Sequence, residues 1–220
     1  MMIIKKILVM TAVEVEREAV LRGIRNGDRF DVQVAGVGPV AAAVSTATVL
    51  ATGASDYDLV VSAGIGGGFV GQAAIGSIVV ASEVISADLG AETPEGFFSV
   101  DKLGFGTSRL NVETEVSIQL VEALRAGGLS VCYGPILTLS TVTGTANTAL
   151  ELTERIPRAA AEAMEGYGVA AAAHRHGIPF LEIRTISNEV GPRNKAAWKI
   201  GDALTALEAA STHLSEVISS

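Results

Sequence analysis

The chain has 220 residues, of which 49% are hydrophobic, 18% charged and 5% aromatic. This composition excludes a disordered chain, and the 24 glycines and 6 prolines lack the period of a fibrous repeat. No apolar run reaches the roughly 18 residues that cross a bilayer, and the opening segment MMIIKKILVM is too short for a signal peptide. We therefore expect a single domain over residues 1–220.

The net charge of -8 arises from 24 acidic and 16 basic residues. Nucleic-acid binding needs clustered Lys and Arg, which this chain does not have, and an acidic surface repels anionic membranes. Because Cys132 is the only cysteine, no internal disulfide can form, and a reducing cytoplasm is the natural compartment. The charge balance predicts a small-molecule ligand held in a pocket, and further copies of the chain as protein partners.

Short β-branched runs alternate with Ala-rich stretches along the chain. The predicted strands are 3–10, 31–35, 58–63, 75–85, 131–139 and 179–187. The predicted helices are 12–25, 39–52, 113–126, 145–153, 159–176 and about 198–217. Continuous apolar strands separated by helices indicate a sheet covered on both faces, so the sequence predicts a three-layer α/β/α fold.

The least regular segment is residues 86–111, which contains Phe97, Phe98 and Phe105. A loop of this length in a compact domain is usually functional. The alternative is a surface excursion whose aromatic rings pack into the core.

Two glycine-rich segments match phosphate-binding patterns, G-x-G-x-x-A at 36–41 and G-x-G-x-x-G at 66–71. A dinucleotide site requires a helix after the glycines, and the residues after Gly71 predict a strand instead. In the first segment Pro39 suits the first turn of a helix. A tight turn between a strand and a helix, without any ligand, explains the same glycine pattern equally well. Dinucleotide binding is therefore disfavoured, although SAGIGGGF indicates backbone close to a ligand at a strand end.

Several glutamates follow the first strand. Thr11 and Glu14 have the spacing of a capping box, and Glu18 lies one turn before Arg22, as in a surface ion pair. Glu16 has neither role and lies just beyond the carboxyl end of a strand. It is a candidate catalytic carboxylate, with a solvated surface position as the alternative.

Glu165 interrupts a predicted helix that is apolar on nearly all sides, where an unpaired carboxylate would be costly. It has either a buried partner or a role in binding ligand hydroxyls. Ser187 and Asn188 follow an apolar strand, where polar groups suit a pocket, although Asn188 could simply cap the turn. His174 and His176 lie at a helix end and are expected to cap it. No spacing suits a metal site or a Ser-His-Asp triad, so we predict no metal and no cofactor.

Five segments in order, VEVE, AGVGPVAAA, SAGIGGGF, EAMEGYGVA and RTISN, resemble the purine nucleoside phosphorylase and nucleosidase superfamily over nearly the whole chain. This resemblance implies that superfamily's fold, with a mixed central sheet, and a nucleoside substrate. Within it, SNEVGPRNKAAWKI is most similar to the futalosine hydrolase family, which implies a cytoplasmic homo-oligomer that acts in menaquinone biosynthesis. A methylthioadenosine/S-adenosylhomocysteine-type nucleosidase, a phosphorylase and a non-catalytic nucleotide-binding protein are the alternatives.

The resemblance also implies roles for individual residues. Glu16 matches the carboxylate that activates water, Glu165 the glutamate that binds ribose hydroxyls, and Met164 the methionine beneath the sugar. Main-chain groups near Val142 and Thr143 would contact the base. The backbone of Ile65, Gly66 and Gly67 would line the sugar side.

Asn188 stands where adenine-specific nucleosidases carry an Asp, with Ser187 beside it. A 6-oxopurine presents two adjacent acceptors, the oxo group and nitrogen 7, to which an amide can donate and which an ionised Asp would repel. Asn188 therefore predicts hypoxanthine as the base, but it cannot act as a general acid. The arginines have no obvious anion-site spacing, which makes water a simpler nucleophile than phosphate.

Overall fold

The structure is a computed structural model that describes residues 4–25, 27–53 and 57–219. Its strands are β1 (Ile7–Thr11), β2 (Phe30–Val34), β3 (Leu59–Gly68), β4 (Ile78–Ser86), β5 (Gly90–Thr93), β6 (Gly96–Ser99), β7 (Arg109–Asn111), β8 (Val131–Thr138), β9 (Ala161–Ala163) and β10 (Phe180–Glu189). Its helices are α1 (Glu14–Gly23), α2 (Pro39–Gly53), α3 (Val100–Leu103), α4 (Thr114–Ala126), α5 (Ala146–Arg155), α6 (Gly166–Arg175) and α7 (Ile200–Ser219). The predicted start of the first strand, residue 3, lies outside the described residues.

The main sheet is mixed and partly closed on itself. Strand β3 pairs in parallel with β1 and β10, and β10 pairs antiparallel with β4. Strand β8 joins β4 to β9 in parallel, and β9 returns to β3 in antiparallel orientation. Strands β3, β10, β4, β8 and β9 therefore form a ring, from which β1 and β2 extend.

Helices cover the sheet on both faces. Alternate residues of β1 point to opposite sides, as the pleat requires. Ile7 and Val9 pack with residues of α1, α4 and α7, whereas Leu8 and Met10 pack with residues of α2 and α6. The predicted α/β layering with a mixed central sheet is confirmed. Among the described helices, none combines the length and the apolar character that a bilayer crossing requires.

The predicted helix 159–176 is wrong in its first part. Residues Ala161–Ala163 form β9, and the helix begins only at Gly166. Ala, Glu and Met favour helices, but pairing with β3 on one side and β8 on the other overrides that local preference.

The segment 86–111 is more regular than predicted, because it contains β5, β6, α3 and β7. Strands β5 and β6 form a separate hairpin. Phe97 lies beneath the Arg155 guanidinium and Phe98 beneath the Lys102 ammonium, at 4.3 Å and 3.5 Å from the ring centres. Phe105 is 81% exposed, so its ring does not pack into the core.

Candidate active site

A cavity of about 330 Å³ lies at the carboxyl ends of the parallel strands β1, β3 and β10, where α/β sheets commonly bind ligands. Its walls are Ala12, Val13, Glu16, Val37, Ile65, Gly66, Gly67, Thr141, Val142, Glu162, Ala163, Met164, Glu165, Ser187, Asn188 and Trp198. Every site residue predicted from the sequence except Thr143 is among them. A larger groove of about 480 Å³ between α4 and the end of α7 contains none of them.

Glu16 is held by backbone donors from two strand ends. Its Oε2 accepts hydrogen bonds from the N–H groups of Ala12 and Val13, at 2.9 and 3.2 Å. Its Oε1 accepts from the N–H of Ile65 at 2.8 Å, and the residue is only 3% exposed. The carboxylate is thus buried and fixed at the cavity wall, which excludes the solvated surface position.

Burial raises the pKa of Glu16. The positive charge of Arg184 and the N–H donor of Ile65 oppose this shift, whereas the negative charge of Glu165 adds to it. A carboxylate with a raised pKa is a stronger base than a solvated one, which suits it to removing a proton from water.

Two side-chain predictions around α1, the Thr11–Glu14 capping box and the Glu18–Arg22 ion pair, were wrong. Glu16 itself caps the helix, while the Thr11 hydroxyl lies 3.3 Å from the carbonyl oxygen of Gln33, so Thr11 and Glu14 do not form a capping box. Glu14 forms an ion pair with Arg17 at 2.7 Å instead. Arg22 forms its ion pair with Glu208 at 2.9 Å, since the long α7 packs against α1 and brings a carboxylate closer than Glu18.

Glu165 is the N-cap residue of α6, not a mid-helix residue as predicted. Its Oε1 accepts from the N–H of Gly38 at 3.1 Å, and its Oε2 lies 3.3 Å from Nη1 of Arg184. The carboxylate therefore occupies the N-terminus of α2, where a dinucleotide phosphate would bind. Gly36 and Gly38 have φ values of 87° and 92°, so the first glycine motif makes a tight turn.

Arg184 is the centre of a buried ionic network that the sequence analysis missed. Its guanidinium is 1% exposed; Nε donates to Oε1 of Glu182 and Nη2 to Oγ of Ser62, each at 2.8 Å. Burial lowers the pKa of Arg184, but the surrounding carboxylates outweigh this effect and hold it above its usual value. Burial also raises the pKa of Glu182. The sequence did contain a signal for this network, the pair Glu182 and Arg184 in an otherwise apolar strand. Residues two apart in a strand point to the same face, so the two side chains can form an ion pair.

Ser187 and Asn188 lie at a bulge in the pairing of β10 with β3. Oγ of Ser187 is 2.8 Å from Oδ1 of Asn188 and 3.2 Å from the carbonyl oxygen of Gly66. Nδ2 of Asn188 donates one hydrogen bond to the carbonyl oxygen of Glu189 at 3.0 Å. Ser187 thereby orients the amide, and the second N–H of Nδ2 has no acceptor among the residues that the structure describes, so it can donate to a ligand.

Glu162 lies within the segment 159–176, which the sequence predicts to be a helix, so nothing pointed to it as a site residue. It lies on β9, is buried, and accepts the N–H of Thr143 on Oε1 at 2.9 Å. Burial raises the pKa of Glu162, although Thr143 opposes the shift. Thr143 itself does not line the cavity, and its N–H is held by this carboxylate rather than presented to a ligand.

The remaining candidates lie away from the cavity. Cys132 is half-buried in β8, and burial raises the pKa of its thiol. His174 is in the last turn of α6 and His176 is its C-cap residue, as predicted.

A sequence profile of the phosphorylase superfamily matches residues 8–220. The chain belongs to this superfamily. Among superfamily members it is 51% identical to a futalosine hydrolase of Streptomyces coelicolor, with 97% of each chain aligned, and it belongs with the futalosine hydrolases. A futalosine hydrolase of Acidothermus cellulolyticus is 45% identical over 92% of this chain and 87% of its own. Both the superfamily and the subfamily resemblance predicted from the motifs are confirmed.

The fold of this superfamily member matches solved structures. The native structure of futalosine hydrolase from Helicobacter pylori strain 26695 superposes with a TM-score of 0.79 at 17% identity, covering 98% of this chain and 97% of that one. An S-adenosylhomocysteine nucleosidase from Streptococcus pyogenes superposes with a TM-score of 0.82 at 19% identity, over 96% and 97% of the two chains. These likenesses establish the fold.

Proposed function

We propose that the chain hydrolyses the N-glycosidic bond of futalosine and releases hypoxanthine and dehypoxanthinylfutalosine. One observation of the structure carries this proposal: Asn188, an amide and not a carboxylate, lies in the wall of a cavity that also contains Glu16 and Glu165. The relatives named futalosine hydrolase, which align with nearly the whole chain, support the same substrate.

Glu16 acts as the general base. Its raised pKa and its fixed position allow it to take a proton from a water molecule as that water attacks the anomeric carbon. The new C–O bond replaces the bond to the purine nitrogen, and the electron pair of that broken bond leaves with the base. No covalent intermediate with the protein is needed.

Glu165 binds the ribose hydroxyls. Its Oε1 accepts one hydrogen bond, from the N–H of Gly38, and its Oε2 accepts two, from Nη1 of Arg184 and the N–H of Met164. Oε1 therefore has room for a further donor. Arg184 holds the Glu165 carboxylate in place from the buried side. The carboxylate can therefore accept hydrogen bonds from the ribose hydroxyls without changing its conformation. Met164 supplies an apolar surface beside it for the sugar.

Asn188 stabilises the leaving base. Cleavage leaves negative charge on the purine, and the free amide N–H donates to the oxo group or to nitrogen 7 as this charge develops. Because an amide donates a hydrogen bond but no proton, the proton that neutralises hypoxanthine comes from water or from a group other than Asn188.

The charges of the cavity favour water over phosphate as the nucleophile. Of the described residues that line it, three are glutamates and none is Lys, Arg or His. A phosphate dianion needs cationic donors, and its entry beside three carboxylates would be strongly unfavourable. The charge of the cavity therefore supports hydrolysis and not phosphorolysis as the reaction of this chain.

Further copies of the chain are proposed to cover helix α2. Val40 and Val44 are four residues apart on one face of this helix and are 76% and 62% exposed. Val37, in the turn before α2, is also exposed and lines the cavity. This exposed apolar face supports the proposal of a homo-oligomer. We also propose a cytoplasmic location and, because the relatives are named futalosine hydrolase, a role in menaquinone biosynthesis.

The test is release of hypoxanthine from futalosine in phosphate-free buffer, with methylthioadenosine and inosine assayed in parallel. Release from futalosine without phosphate supports the proposal. Release that requires added phosphate would identify a phosphorylase, and release of adenine from methylthioadenosine would contradict the role given to Asn188.

A further inference from the structure

Each of the three guanidinium nitrogens of Arg184 donates to a fixed acceptor. Nε donates to Oε1 of Glu182 and Nη2 to Oγ of Ser62, each at 2.8 Å, while Nη1 donates to Oε2 of Glu165 at 3.3 Å. Glu182 and Ser62 are paired in register on β10 and β3, so both point to the same face of the sheet as Arg184. A guanidinium group is planar and rigid, so the acceptor that holds Nε also sets the direction of Nη1.

Two glycines leave room for this arrangement. Gly64 is paired with Arg184 across β3 and β10, and a Cβ atom at position 64 would lie 2.8 Å from Nη1 of Arg184. Gly166, the first residue of α6, lies against the carboxyl group of Glu182, where a Cβ atom would overlap both oxygens. Glu182 is therefore held between the guanidinium and the start of α6. Because Glu165 immediately precedes Gly166, one buried carboxyl group contacts both the cation and the helix end that place Glu165.

Stability alone does not explain a glutamate at position 182. The side chain of Glu182 is fully buried and is not among the described residues that line the cavity, so it cannot touch a substrate. Its Oε2 has no hydrogen-bond partner in the part of the chain that the structure describes. Removing a charge from water is costly, and apolar residues of similar volume are often at least as stabilising as a buried ion pair. These observations favour a role in the geometry of Arg184.

We propose that Glu182 is a positioning residue for ribose binding: its carboxyl group accepts from Nε of Arg184 and thereby directs Nη1 at Glu165. This inference rests on the proposed function and extends the ribose site to a residue outside the cavity. The contact with Nη1 fixes Oε2 of Glu165 and leaves Oε1 with room for a sugar hydroxyl. The role does not depend on the charge of Glu182, because an ionised and a protonated carboxyl group both offer an acceptor to Nε.

The competing explanation is that Glu182 only fills space in the core. Glu182→Leu removes the acceptor and keeps a side chain of similar volume, whereas Glu182→Gln keeps an oxygen that can accept from Nε. Ile183→Val is the matched control. Ile183 is buried beside Glu182 on β10, and its side chain packs into the core on the other face of the sheet. This control measures what the loss of buried contacts in β10 does to ligand binding.

The experiment measures binding of 9-deazainosine and its 2′,3′-dideoxy analogue to the full chain and to the three variants by equilibrium dialysis. The base of both ligands is joined to the sugar by a C–C bond, so neither is hydrolysed, and they differ only in the hydroxyls assigned to Glu165. We expect the unmodified chain to bind the hydroxylated ligand about 10- to 100-fold more tightly, the range for a hydrogen bond to a charged group. This preference is expected to remain in Glu182→Gln and Ile183→Val and to fall by about tenfold or more in Glu182→Leu.

Three results would overturn the inference. The first is a Glu182→Leu chain that keeps the preference. The second is loss of the preference in Glu182→Gln, since the acceptor for Nε is retained there. The third is loss of the preference in Ile183→Val, which would show that any buried change in β10 has this effect.

A measurement on the unmodified chain needs no variant to fold. The Nε–H of Arg184, followed by NMR, should exchange with solvent far more slowly than that of an exposed arginine such as Arg25, because a buried carboxyl group holds it. Exchange of Arg184 at the rate of Arg25 contradicts the hydrogen bond on which the inference depends.

Futalosine cleavage is measured on the same samples, so that two failures can be told apart. If futalosine is cleaved but Glu182→Leu keeps the preference for the hydroxylated ligand, the role of Glu182 is overturned and the proposed function stands. If the preference behaves as expected but the unmodified chain does not cleave futalosine, the positioning role stands and the proposed reaction fails.

Discussion

Replacement of Gly166 by Ala would destabilise the protein, although helix propensity alone predicts the opposite. Gly166 is the first residue of α6, and Ala is more favourable than Gly in a helix by about 1 kcal/mol. A Cβ atom at this position, however, would overlap the carboxylate of Glu182. Glu182 is fully buried and cannot move aside without losing Arg184.

The magnitude follows from these contacts. Overpacking of a buried site costs about 1–3 kcal/mol, and loss of a hydrogen bond between charged groups costs about 1.5–3 kcal/mol. After the gain in helix propensity, the free energy of unfolding falls by about 2–5 kcal/mol. For a chain of this size, that corresponds to a decrease in Tm of about 4–20 °C. Because Arg184 also holds Glu165, kcat/KM for futalosine falls as well.

Thermal unfolding monitored by circular dichroism measures this effect. Gly201→Ala is the matched control, since Gly201 lies in the first turn of α7 and a Cβ atom there meets nothing within 4 Å. We expect its Tm to stay level or rise slightly. A Gly166→Ala protein as stable as the unmodified chain would show that Glu182 is not fixed where the structure puts it.

Three further predictions concern the reaction. Glu16→Gln lowers kcat by about 10²- to 10⁴-fold with little change in KM, as loss of a general base does; steady-state kinetics that show a near-normal kcat would rule out this role. The kcat/KM profile falls at low pH with a midpoint above the ordinary glutamate value of 4.5, because Glu16 must be ionised and its pKa is raised; a midpoint at or below that value contradicts the assignment. Asn188→Asp lowers kcat/KM for futalosine by about tenfold or more, because the new carboxylate faces two acceptors of the base. Competition assays that show an unchanged preference for 6-oxopurines would refute this explanation.

The sequence predicts the layers of the fold because apolar strands and Ala-rich helices have clear periods. The apolar pattern of the first strand also shows where that strand ends, and so places Glu16 just beyond its carboxyl end. The sequence does not predict β9, since Ala-Glu-Ala has no strand signal of its own and becomes a strand only through pairing with β3 and β8. The error at β9 also hid Glu162, because a charged residue in a supposed helix gives no reason to expect a cavity.

The capping of α1 shows a second limit of local patterns. Thr11 and Glu14 have the right spacing for a capping box, yet the chain uses Glu16, which reaches back to two N–H groups and across to Ile65. The contact with Ile65 comes from a strand some 50 residues away, beyond the reach of any local rule. Likewise, the partner of Glu165 is visible only once β10 is packed against the start of α6.

The ring of strands β3, β10, β4, β8 and β9 has a consequence for motion. Each ring strand is held by neighbours on both sides, so none can separate without breaking two ladders of hydrogen bonds. The hairpin of β5 and β6 pairs only with itself among the described strands and can open locally at much lower free energy. Amide hydrogens of β3 and β10 should therefore exchange with solvent only when the whole molecule unfolds. The cavity wall contains three residues of these slowly exchanging strands, Gly67, Ser187 and Asn188. This part of the wall is therefore already rigid before a nucleoside binds.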